Sequence, residues 1–448
     1  MQRRTLLLAG AGAILAACSA RSAATPGPAR PARAGFVGVD GQRFVLDGAP
    51  YRYVGANMWY GAYLGADAGF GNRDRLRREL DALTELGIAN IRVLASGEIS
   101  PLRNSLNPAF RDRSSYNDQL LTGLDFLLAE MGQRNLRAVL YLTNFWEWSG
   151  GMVTYLYWTN GGRYINMNDP AHPWPEFPDF SAHFYSSAEA KALYDDYVRA
   201  IVGRANSVNG KAYKDDPTIM AWQLANEPRP GGSEAFGTSN LPAFYAWIAD
   251  TAKLIKSLDP DHLVSTGNEG LKGCLEQAQC VLAAHQAPEV DYLTAHIWPQ
   301  NWSWADPNAL ERSYPTVETN TQDYINQHVG FARQLNKPLV IEEFGFPRDD
   351  LSYAPGSPTT LKDRFYALIY RNVMESAEGD GPLAGSNFWA WGGAGRAQHP
   401  DLHWRTGDRS YVGDPPHEPQ GWYSVFDNDR STLGLIRDHA AALKTIRA

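Results

Sequence analysis

Two glutamates close apolar runs in which a buried strand has no use for a charge. "TIMAWQLANEPRP" brings Asn226 and Glu227 to the end of one run, and "PLVIEEFG" brings Glu342 and Glu343 to another. Two more runs carry a similar intrusion: Arg92 in "ANIRVLA" and His296 in "VDYLTAHIW". A single Glu at a strand end is more often an ion-pair partner or a helix cap. Arg, Asn-Glu, His and Glu on four such runs form a set with a chemistry. Two opposed carboxylates can cleave a glycosidic bond, one protonated to expel the leaving group and one ionised to attack the anomeric carbon. Different surroundings separate the roles of two identical side chains, and Arg92 can hold the nucleophile charged.

Such a set needs a frame that brings distant strand ends together. Eight short β-rich apolar runs occur, at 51–58, 89–95, 136–145, 218–227, 262–269, 290–298, 338–345 and 385–391. Helical periodicity falls between many of them. Leu76, Leu80 and Leu83 share a face, with Gly87 placed to stop the helix. Ser186 and Glu189 read as a capping box, and 244–258, 323–335 and 361–374 are amphipathic. Eight strands alternating with helices predict an α/β fold, a (β/α)8 TIM barrel. A doubly wound open sheet is the rival, but no glycine-rich phosphate loop follows the first strand. Glu227 and Glu343 then lie three βα units apart, on strands four and seven, facing each other across the mouth.

Three long connections, 146–186, 299–320 and 392–430, each follow a strand and so reach the C-terminal face, where barrel enzymes hold their sites. Aromatic density argues against disorder in all three. The chain has 14 Trp and 22 Tyr, which fit either sugar-ring platforms or a large aromatic core. Trp146 and Trp148 are open to both readings. Net charge is -8, although residues 1–34 hold five Arg and no acid. Nucleic acid as a partner is excluded by that balance.

The first residues read as an export signal. Arg3-Arg4 precede an apolar run, Leu6 to Ala17, too short to span a membrane. "LAAC" resembles a bacterial lipoprotein box in which Cys18 is acylated. The expected organisation is a signal over 1–18, a flexible Pro-rich tether over 19–34 and one catalytic domain over 35–448. The protein is then exported and lipid-anchored to the cell envelope, or secreted if Cys18 is not acylated. Membrane contact is expected only through that anchor, and the protein is expected to be a monomer. Cys274 and Cys280 are disulfide candidates in an oxidising compartment, and without nearby His they make no zinc site. His399 and His403 are not a metal pair, because Pro400 breaks the helix they would need. Glu269, in "GNEGLKG", reads as a cleft residue or a structural acid.

The ordered set "NEP", "HIWPQNW", "EEFG" and "FWAWGG" resembles glycoside hydrolase family 5, among the retaining (β/α)8 hydrolases, over roughly 36–448. "GANMWYGAYLG", "TNFWEWSGG" and "HIWPQNW" are similar to its mannan-degrading branch. The resemblance implies that Glu227 is the general acid/base and Glu343 the nucleophile. It implies that Asn226 bonds the sugar 2-hydroxyl, that Arg92 and His296 orient the carboxylates, and that Trp389 forms the platform under the reacting sugar, with Trp146 also at the substrate. Glu342 is expected on the opposite face of its strand. Many relatives have Tyr, bonding the nucleophile, where this chain has Trp298, whose indole N–H donates but cannot accept. The implied activity is endo cleavage of β-1,4-mannan. Exo cleavage of manno-oligosaccharides is the alternative, and β-1,4-glucan cleavage or a non-catalytic glycan-binding lipoprotein stand further off. No metal and no other cofactor is implied, because sugar transfer between carboxylates requires neither.

Overall fold

A computed structural model of the chain describes residues 32–446. The export signal, Cys18 and the tether up to residue 31 lie outside the described residues. From Arg33 onward the chain is fixed to the domain, because the Arg33 guanidinium bonds Asp215 at 2.7 Å and lies over the Phe36 ring.

All eight expected strands form one parallel sheet. They are Tyr53–Asn57, Asn90–Leu94, Arg137–Tyr141, Ile219–Gln223, Leu263–Ser265, Leu293–Ile297, Leu339–Phe344 and Leu383–Phe388. Each pairs with its neighbour in sequence from first to fifth and from sixth to eighth, and the eighth pairs with the first. A bridge between Ser265 and Tyr292 joins the fifth to the sixth and closes the circle. The strands are buried on both faces, so they read as nearly continuous apolar runs.

The helices that pack outside the strands follow the apolar periodicity, with shifts at their ends. Helix Arg73–Glu85 starts where Asn72 accepts a bond from the Arg75 amide. Ser187, rather than Ser186, caps Ala188–Val202, because its side chain reaches the Ala190 amide. Glu234–Leu258 and Leu310–Leu335 begin well before the expected 244 and 323. Each contains a proline, Pro242 and Pro315, which interrupts the pattern without ending the helix. Helix Asp118–Gln133 is buried over most of its surface, so it shows little amphipathic contrast. Among the described residues, no helix is long and apolar enough to cross a membrane.

An antiparallel ribbon, Val37–Asp40, Arg43–Leu46 and Ala49–Pro50, precedes the barrel. Val37 and Phe44 pack on Tyr53, Val139, Met220 and Tyr292 in a separate apolar cluster. That cluster plugs one end of the barrel and leaves the mouth to the long connections. The expected disulfide is not formed. Cys274 and Cys280 are buried free thiols near enough to hydrogen-bond each other, and the Cys274 sulfur also lies 3.6 Å from Asn268 Oδ1.

Two structural histidines give the fold a pH dependence. His285 bonds the Val281 carbonyl and the Thr266 hydroxyl, and His328 bonds the Tyr324 carbonyl and the Leu271 amide. Burial pulls both down to about 4. At each of these two positions the unfolded chain therefore binds one more proton between pH 6.5 and 4. Their contribution is complete above pH 6.5 and is lost as pH falls toward 4, by up to about 2.7 kcal/mol per pH unit. Urea unfolding of H285Q and H328Q beside the parent chain across this range checks each share, which is lost from the slope in the variant. An unchanged slope in both variants would contradict it.

Candidate active site

The polar residues singled out in the strands meet at one mouth. Arg92 lies in strand two, His296 in strand six and Glu343 in strand seven, while Asn226 and Glu227 follow strand four and Trp389 follows strand eight. Glu227 leaves the strand direction. Its φ is 50°, in the left-handed region, and its amide donates to the Gly267 carbonyl at 2.9 Å. A non-glycine residue held there costs about 1 kcal/mol or more, and the surrounding bonds must enforce it.

Arg92 is the hub. Its guanidinium donates to Glu343 Oε1, to Gln223 Oε1 at 2.7 Å, to Asn226 Oδ1 at 2.7 Å and to Asn57 Oδ1 at 3.1 Å, and it lies over the Tyr141 ring. Asn226 also donates to Asn144 Oδ1 at 3.2 Å. Glu342 does not face away, as strict alternation implies. Strand seven bulges against strand six between Ile341 and Glu343, so two successive acids turn inward. Glu342 accepts from Gln223 Nε2 at 2.5 Å and from the Tyr292 hydroxyl at 3.1 Å, beneath the site.

Glu227 is held differently. Trp146 Nε1 donates to its Oε2 at 2.5 Å, and Trp298 Nε1 donates to its Oε1 at 3.2 Å. Trp298 thus grips the proposed acid/base rather than the nucleophile. His296 Nδ1 stands 2.7 Å from Glu227 Oε1 and 3.3 Å from Glu343 Oε2. Burial, with Arg92 beside it, pushes the imidazole well below its usual range, so it is neutral and offers one N–H to both acids. Burial pushes Glu343 well above the carboxylate range, Arg92 opposes this, and the charge of Glu227 adds to it. The Arg92 guanidinium supplies Glu343 with the counter-charge for a carboxylate, while the donors that touch Glu227 are neutral.

Glu227, His296 and Glu343 present atoms within 4.8 Å of one another, a spacing a metal ion could bridge. The Arg92 guanidinium and two indole N–H groups already occupy the carboxylate oxygens. The set therefore suits proton transfer better than a cation. Its chemistry is that of one carboxylate giving up a proton while the other attacks.

Above the acids opens a cavity of about 540 Å³, with Trp389 in its lining. Trp146 and Trp174 reach it from 146–186, Trp302 from 299–320, and His417 and Glu418 from 392–430. All three long connections therefore serve the site. Trp174 is 60% exposed and lies nearly parallel to Trp146, while Trp148 is buried against Trp59. Glu269 lines the cavity and pairs with Arg229. His399 pairs with Asp408 and His403 with the Asp401 carbonyl, so these two do not form a site together. Arg229, His417 and Glu418 carry no strand-end signal in the sequence. Their only mark is that they sit in "NEPRP" and "PPHEPQGWY", close to aromatic residues. Burial works against a charge on His417, but Glu147 and Glu418 outweigh it and push the imidazole up to about 10.

Trp298→Phe keeps a ring against Trp389 and Tyr423 and removes one donor to Glu227. A hydrogen bond to a charged group of this kind corresponds to about tenfold in rate, so kcat/KM falls by about tenfold with the melting temperature little changed. Wild-type kcat/KM in this variant would contradict the assigned contact.

Residues 34–448 match the family described as "GH family 5 beta-mannosidase-like". The chain is 27% identical over 425 residues to mannan endo-1,4-beta-mannosidase 1 of Oryza sativa subsp. japonica, covering 92% of this chain and 86% of that one. It is 28% identical over 368 residues to mannan endo-1,4-beta-mannosidase 5 of Solanum lycopersicum, covering 79% and 80%. The crystal structure of a glycoside hydrolase family 5 mannosidase from Rhizomucor miehei superposes with a TM-score of 0.83 at 37% identity, covering 92% of this chain and 98% of that one.

Proposed function

This chain belongs to glycoside hydrolase family 5, in its beta-mannosidase-like group, and on that premise we propose that it is a retaining hydrolase of β-1,4-mannosidic bonds acting at chain ends. The observation that carries retention is the spacing of Glu227 and Glu343. Oxygens within 4.8 Å leave no room for a water between nucleophile and sugar, which inversion requires. Glu343, charged beside Arg92, attacks the anomeric carbon of a sugar seated against Trp389. Glu227 gives its proton to the departing oxygen. In the second step Glu227 takes a proton from water, and that water releases the sugar from Glu343. Asn226 bonds the sugar 2-hydroxyl through the second N–H of its amide, the first being given to Asn144 Oδ1.

Mannosides as substrates are supported by the mannosidase and the mannan endo-1,4-beta-mannosidases that the chain resembles. Chain-end action is supported by the connection after strand eight. It is tied across the strand-one side of the mouth, where Trp59 Nε1 donates to the Gly413 carbonyl at 2.9 Å and Trp148 meets His417 edge-on. His417 and Glu418 line the cavity beside that tie, so the connection walls it on this side. The endo reading is favoured by the names of the plant relatives. Export, with acylation at Cys18, is part of the proposal and rests on the twin Arg, the short apolar run and "LAAC".

On β-1,4-manno-oligosaccharides the expected product is mannose, one unit at a time, with mannan viscosity nearly constant. A rapid fall in viscosity with a spread of oligosaccharides would establish endo action instead. NMR should show β-mannose first, and α-mannose would overturn retention. Glu343→Ala should lose at least about 10⁴-fold in kcat without loss of fold.

A further inference from the structure

Arg229 follows the acid/base by two residues and is rigidly held. The carbonyls on either side of it are both bonded, Pro228 O by Asn268 Nδ2 at 2.7 Å and Pro230 O by Asn240 Nδ2 at 2.8 Å. Its guanidinium forms a two-pronged ion pair with Glu269 at 2.5 and 2.7 Å, and Glu269 is 1% exposed. It also lies 5.0 Å from the centre of the Trp146 ring, whose N–H holds Glu227 Oε2. On the other side the Glu269 carbonyl accepts from the His296 amide at 3.1 Å, and His296 Nδ1 touches Glu227 Oε1. The pair closes a ring of contacts around both oxygens of the acid/base.

A buried ion pair is weak evidence for stability, so its place beside the acid calls for another account. Arg229 alone would put an uncancelled cation next to Glu227 and favour its ionised form, which cannot protonate a leaving group. Glu269 alone would add a third buried acid beside Glu227 and Glu343. We propose that Arg229 and Glu269 are positioning residues for the acid/base: Arg229 holds the Trp146 indole against Glu227, and Glu269 cancels the charge that Arg229 would impose on it. This inference rests on Glu227 being the acid/base.

Other groups face Glu227 from every side. They are Glu343 and neutral His296 from strands seven and six, Arg92 from strand two, protonated Tyr141 from strand three, and Glu418, beside the cation His417, from the connection after strand eight. Of these, His296 also feels the charges of Glu269 and Arg229, and Glu343 that of Glu269. The single variants are therefore read against the double variant, in which both charges are gone.

The test is the pH profile of kcat/KM on β-1,4-mannobiose for the full chain and the variants E269Q, R229M, R229K and E269Q/R229M, each checked by its melting temperature. E269Q leaves the cation uncancelled, so the basic limb moves down by about one pH unit. The double variant has no net charge there, so its limb returns to the wild-type position while kcat stays low. R229M, with Trp146 unsupported, loses about tenfold or more on mannobiose but less than about threefold on 2,4-dinitrophenyl β-mannoside, whose leaving group needs no proton. R229K keeps the wild-type limb. An unmoved limb in E269Q, or a limb that the double variant fails to restore, overturns the proposal. Glu227→Gln separates this from the reading beneath it. Loss on mannobiose with retained release of dinitrophenol upholds Glu227 as the acid. Equal loss on both substrates removes that assignment and the inference with it.

Discussion

A guanidinium with no solvent contact sits in the middle of the barrel, and the site is built on satisfying it. Burying a charge is costly unless its hydrogen bonds and its counter-charge are all supplied. Arg92 finds them on different strands: Asn57 on the first, Gln223 on the fourth, Glu343 on the seventh, and Asn226 just beyond the fourth. Only a closed parallel barrel brings those four acceptors within reach of one side chain. The same bonds set the register of the strands and aim the polar ends at the mouth. If Arg92 were lost, three buried amide oxygens would lack a donor, and Glu343 would face Glu227 and Glu342 uncompensated.

Two identical side chains acquire two functions from what touches them. Glu343 is gripped by a cation within the barrel, so its environment is fixed by the fold itself. Glu227 is gripped by neutral N–H groups from Trp146, Trp298 and His296, which stabilise a charge without insisting on it. A group that must both give and take a proton in one turnover needs that kind of neighbour. Two of these donors come from the aromatic connections after strands three and six. The acid therefore depends on the loops, and the nucleophile depends on the barrel.

Most of the frame was legible because period and composition encode it directly. The eight runs, and the titratable residues that interrupt them at Arg92, Glu227, His296 and Glu343, needed no tertiary information. The failures have a common cause. Glu342 was placed by alternation, and a bulge overrides alternation. Helices Glu234–Leu258 and Leu310–Leu335 were read short because proline interrupts the periodic signal without ending the helix. The spacing of Cys274 and Cys280 does bring the two thiols together, but it does not reveal that they remain free. Arg229 and Glu269 are 40 residues apart and meet only through the closure of strands four and five, which no local pattern records. Trp298 was singled out as a departure, and only its position shows that it serves Glu227.

The central claim is that Glu343, charged by Arg92, forms a covalent bond to the sugar. A 2-deoxy-2-fluoro-β-mannosyl fluoride slows release of that intermediate enough to isolate it, and peptide mapping by mass spectrometry then locates it. The account predicts one added fluoromannosyl group, on Glu343. An adduct on Glu342 or Glu227, or turnover without any adduct, would contradict it.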